Sequence, residues 1–205
     1  IFIISILTTL LILYSDVNRP DAYLYHLPYI SILNINEIII GLNNINFRYG
    51  LVSILQYTSA INVNLFFKSE GILIPPASII SLFIYFFYNE IKKSYVTKNL
   101  DYKSIFSLTI FIYIIFKVIR YSEFGNDALP ALMTFFLVSK ILEKNFFEKN
   151  IIFIYLITVF IFLNKTTMIF LFLLPTLIFF LKRNYWEIKE YFKIIFSFPT
   201  LILFL

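Results

Sequence analysis

The sequence predicts an all-α fold, a polytopic transmembrane bundle of about seven spans. Three observations point there. Of 205 residues, 60% are hydrophobic and only 14% charged, with a mean hydropathy of +0.85. The apolar residues fall in uninterrupted runs of helical length, separated by short charged breaks. Those breaks carry lysine on one side of the bundle and mixed acids and bases on the other.

Taken in order, residues 1–14 carry no charge and predict the end of a spanning helix. A polar-mixed stretch, 15–71, follows as a long first outer loop. Further apolar runs lie at 72–88, 104–118, 128–138, 151–163, 168–181 and 194–205. A helix rises 1.5 Å per residue, so a hydrocarbon core of about 30 Å needs about 20 residues. Several runs fall short of that. Flanking Tyr, Lys and Asn are expected to carry them through the interface. A first residue that is Ile and a last stretch that is apolar predict a fragment cut at both ends, a single transmembrane domain over 1–205.

Orientation follows from the basic residues. If 1–14 leads outward, three inner loops result, at 89–103, 139–150 and 182–193. They hold Lys92, Lys93, Lys98, Lys103, Lys140, Lys144, Lys149, Lys182, Arg183, Lys189 and Lys193. That bias sets the cytoplasmic side. Residues 51–67 include Ser53, Gln56, Thr58, Ser59, Asn62 and Asn64. Counting them as a span would turn the lysine loops outward, so they read as interfacial or re-entrant. Ile30, Leu33, Glu37 and Ile40 fall at helical spacing, as do Leu51, Ile54, Leu55 and Thr58. Two amphipathic juxtamembrane helices in the first outer loop are therefore expected.

Composition excludes several chemistries. Without cysteine there is no disulfide, thiolate metal site or cysteine nucleophile, and one histidine rules out multi-histidine metal sites. The net charge of +5 sits in short lysine clusters between apolar runs, which fits membrane orientation better than a nucleic-acid surface.

The candidate residues all fall on the outer side. Asp21 precedes His26 by five residues, at the end of the first apolar run. A carboxylate at the edge of a low-dielectric region can accept a proton or hold a divalent cation, and His26 can share that proton. Asp16 competes as an acid, but Asp16-Val17-Asn18 reads as a helix-ending turn. The stretch from Arg120 to Asp127 adds Glu123 between them. Asp127 suits the N-cap of the next helix, which leaves Glu123 and Arg120 unexplained by capping. Lys165, in the break Asn164-Lys165-Thr166-Thr167, and Arg48, closing the asparagine-rich stretch after Gly41, are further cations on this face. An arginine or lysine there suits an anionic group such as a lipid phosphate. Each also has a bland reading, as a capping, snorkelling or turn residue.

The combination Asp21-Ala22-Tyr23-Leu24-Tyr25-His26-Leu27-Pro28, Gly41-Leu42-Asn43 with Arg48-Tyr49-Gly50, and Glu123-Phe124-Gly125-Asn126-Asp127 resembles bacterial membrane proteins of the C-type glycosyltransferase superfamily. Its relatives include protein O-mannosyltransferases and aminoarabinose transferases. The resemblance covers roughly 1–180. It implies transfer of a sugar from a polyprenyl-phosphate carrier at the outer face of the bacterial inner membrane, with membrane lipids and a lipid-linked donor as partners. Carried over residue by residue, Asp21 is the catalytic carboxylate, with His26 beside it and Glu123 as a second site acid. Arg120, Asp127, Lys165 and Arg48 serve the substrate. Some members need a divalent metal, which Asp21 would hold. The paired Asp-Glu of some subfamilies is absent, since Ala22 follows Asp21, and that leaves the metal open. A lipid or polysaccharide transporter, or a non-catalytic assembly protein, stand as alternatives. A transporter should place ionisable residues near the bilayer midplane.

Overall fold

The computed structural model describes residues 2–14, 21–36, 39, 41–50, 53–117, 127–143 and 150–182. Its described part is helical: α1 Phe2–Leu13, α2 Leu27–Ile35, α3 Ile54–Asn62, α4 Ile74–Thr97, α5 Tyr102–Lys117, α6 Ala128–Ile141, α7 Ile151–Asn164 and α8 Leu173–Lys182. A π-helical turn, Ala22–His26, runs straight into α2, and a 3₁₀ turn, Lys68–Leu73, runs straight into α4. Prolines mark two of the starts, Pro28 in α2 and Pro75-Pro76 in α4, where a missing N–H costs nothing. Two helices, α2 and α3, lie in the 15–71 stretch and pack together, but α2 is apolar nearly all round and stops at Ile35, so the spacing from Ile30 to Ile40 does not form one amphipathic helix. Asn34 joins them, donating to the carbonyls of Ala60 and Val63 at 2.8 and 2.9 Å.

Helix α4 is the hub, packing against α1, α3, α5 and α6. It is apolar on the faces that meet them. Ile12, Ala77, Ile80, Phe87, Ile110, Ile114 and Leu132 form one buried cluster. A second cluster, Leu137, Ile154, Ile157 and Ile161, joins α6 to α7. Ser5 meets Ser81 at 3.4 Å while Ile12 clusters with Leu73, so α1 runs antiparallel to α4. Gly71 docks the start of α4 on the end of α3. A Cβ there would lie 2.0 Å from the Asn62 carbonyl oxygen, which no side chain could tolerate.

The expectation of about seven spans is corrected. Among the described residues one helical stretch, Lys68–Thr97, is long and apolar enough to cross a membrane. The other apolar helices are too short. At 1.5 Å per residue, the 14 residues of α6 and of α7 span about 21 Å each. At α7 the flanking polar residues do not lengthen the helix: it ends at Asn164, where extended Lys165 leads into a 3₁₀ turn. The run at 194–205 lies outside the described residues.

Candidate functional site

Two pairs of segments lie at one end of the bundle: Arg48 of the 3₁₀ turn Phe47–Gly50 reaches Asp21 ahead of the π turn, and Lys165 after α7 reaches Asp127 ahead of α6, with Asp127 near enough to act on His26. The π turn explains part of the geometry. Its i→i+5 pattern, with the Leu27 N–H donating to the Ala22 carbonyl, draws residues five apart closer in register than an α-helix does. Asp21 and His26 are five apart.

Asp21 stands mostly exposed, at 61%, and accepts from the Arg48 guanidinium at 3.3 Å. The same guanidinium lies over the Tyr25 ring, 4.4 Å from its centre, a cation–π contact. Asn46 holds the loop by accepting from the Arg48 backbone N–H at 3.1 Å. On the opposite flank Lys165 donates to Asp127 at 2.7 Å. Asp127 does occupy the N-cap position of α6, but its side chain makes no capping bond: its own backbone is already helical (φ −79°, ψ −29°), and its carboxylate accepts from Lys165 instead.

His26 is buried beneath these charges, and its Nδ1 lies 3.1 Å from the side-chain nitrogen of Gln56 on α3. Burial lowers its pKa below 6.5, outweighing the carboxylates of Asp127 and Asp21, which pull it upward. The Tyr25 phenol is pushed above its usual range by burial first and by Asp21 second. Tyr29, stacked on Tyr49 at 5.4 Å, is raised further, by burial and then by Tyr57. The aromatic floor of the site is therefore neutral at physiological pH.

Of the expected site residues, Asp21, His26, Arg48, Asp127 and Lys165 share this end of the bundle. Glu123 and Arg120 lie outside the described residues, as does Asp16. Among the described residues no three histidine, cysteine or carboxylate side chains gather to hold a metal ion. Asp21 has an arginine beside it rather than a second acid. Gln56 was missed as a site residue. Its signal was its place on the inward face of α3 with Leu55, Ser59 and Ala60.

The other end of the bundle is not a set of plain lysine connections. Lys103 bridges the buried Glu90 to Glu143, and Lys93 and Lys140 complete the network at 3.0 and 3.2 Å. Ser94, Asn99 and Asp101 help line a cleft of about 470 Å³ beside it. These pairs tie the end of α4 to the start of α5 and the end of α6.

No curated protein and no solved structure matches the chain. One family model matches it over residues 1–205, and on that match the chain belongs to the family described as "Domain of unknown function (DUF8201)".

Proposed function

We propose that the chain is a membrane glycosyltransferase that moves a sugar from a polyprenyl-phosphate carrier to an acceptor. Its site lies at the outer, periplasmic face of a bacterial inner membrane. One observation carries the reading: an accessible carboxylate, Asp21, held beside a guanidinium in cation–π contact at the polar end of an apolar bundle. Membrane placement draws support from the Lys68–Thr97 stretch and from the outward apolar faces of α1 and α5, where Phe2 and Phe116 are 77% and 81% exposed.

The chemistry follows from how weak the exposed pairs are. An exposed ion pair contributes roughly 0.2–1 kcal/mol. A phosphate, which accepts two parallel bonds from one guanidinium, can therefore take Arg48 from Asp21 at little cost. Lys165 offers a second such exchange on the Asp127 flank. Donor binding thus frees Asp21 next to the anomeric carbon. As the acceptor oxygen bonds that carbon, Asp21 takes the hydroxyl proton and the bond from carbon to phosphate oxygen breaks. The electron pair leaves on the polyprenyl phosphate, where the cations stabilise it.

Titration of polyprenyl phosphate onto the purified protein tests the exchange. Arg48→Gln should weaken binding about tenfold, the size of one charge-assisted hydrogen bond. Equal affinity in the variant would remove Arg48 from the phosphate site and the reading with it.

A further inference from the structure

We infer that Gln56 is a positioning residue of this site, its side-chain N–H fixing His26 in the tautomer that carries the proton on Nε2. Both side chains are buried, at 4% and 7% exposure, and lie 3.1 Å apart, nitrogen to nitrogen. They come from segments 30 residues apart, the π turn and α3. A neutral imidazole has one donor and one acceptor nitrogen, so an amide N–H aimed at Nδ1 makes Nδ1 the acceptor. The reversed amide would put its oxygen on Nδ1. That arrangement strands both N–H donors of the buried amide, whereas the observed one bonds one of them to Nδ1 and leaves the Oε1 acceptor without a partner. A buried carbonyl left short of partners is the commoner of the two in proteins.

The amide is itself held in place. Ser53 caps α3 and accepts from the Gln56 backbone N–H at 3.4 Å, and α3 is tied to α2 through Asn34. Among the described residues the charged groups that act on the ring are Asp127, Asp21 and Arg48; burial, with Arg48 on its side, outweighs the two carboxylates in favour of the neutral form. His26 then offers a bound ligand a neutral N–H donor, suited to a phosphate or hydroxyl oxygen, and leaves Asp21 as the base. The ligand's identity rests on the proposed transferase function; the tautomer does not.

The chain has a single histidine, so ¹⁵N-histidine labelling reports on this ring alone. Two-bond proton–nitrogen correlation on the intact protein in lipid nanodiscs, near pH 7, should show a protonated Nε2 and an unprotonated Nδ1. A protonated Nδ1, or an imidazolium, in the wild-type protein overturns the inference. Gln56→Glu supplies an acceptor in place of the donor, so Nδ1 should become protonated and sugar transfer fall about tenfold. Retention of the Nε2–H tautomer in that variant overturns it as well. The expected tautomers in a protein without transfer activity would leave the inference standing and remove the transferase reading instead.

Discussion

At His26 two influences oppose each other: burial, which disfavours the charged ring, and the carboxylates of Asp127 and Asp21, which favour it. Burial is the larger. In the unfolded chain the ring titrates near 6.5, while in the folded chain its pKa is lower. As pH falls through about 6.5 the unfolded state binds the proton first, so stability falls with it until the folded ring also titrates. Denaturant unfolding at pH 7.5 and at pH 5.5 should show the acidic loss, and His26→Gln should flatten that part of the profile. An unchanged slope in the variant would mean that the ring is not held neutral by burial. Residue identities at this end were legible because acids and bases stand out on an apolar chain. Partners were not. The reading of Asp127 as a cap lacked Lys165, 38 residues away, and Gln56 looked like one more polar residue in an interfacial run.

Among the elements, α3 was readable from periodicity and the cores of α4 to α7 from uninterrupted apolar runs of helical length, whereas α2 was readable only in part, since it stops at Ile35. Their lengths were not. Polar breaks such as Asn164 to Thr167 end a helix rather than carry it through an interface, and only the stopping geometry reveals that. The turn between α3 and α4 is the element on which the proposed membrane placement is most directly testable. Leu65 and Phe66 are 96% and 91% exposed, directly ahead of Lys68 and the one candidate span. A pair of large apolar side chains at such a tip is stabilised by the acyl–headgroup boundary. Phe66→Trp fluorescence should be quenched by brominated lipids in nanodiscs. Quenching by aqueous iodide instead would place the tip in water and undo the membrane assignment of this end.

Across the whole molecule, charge is segregated to the two ends of the bundle. One end carries a closed network through Glu90, Lys103 and Glu143, and the other carries exposed pairs through Asp21 and Asp127. The lysine bias of the sequence did not show that Lys93, Lys103 and Lys140 would each find an acid beside them. Glu90 and Glu143 meet at Lys103 only once α4, α5 and α6 are assembled. Buried pairs of that kind are costly to break, about 3–5 kcal/mol when one partner is removed. Exposed pairs exchange readily, so at the Asp21 and Asp127 end a ligand's charge can compete for Arg48 and Lys165. The most direct measurement is sugar transfer from a polyprenyl-phosphate sugar in membranes carrying wild-type protein or Asp21→Asn. Loss of the base should cut transfer by roughly a hundredfold or more while the variant folds and inserts as before. Transfer at the wild-type rate in Asp21→Asn would contradict the assignment of this carboxylate and of the site built around it.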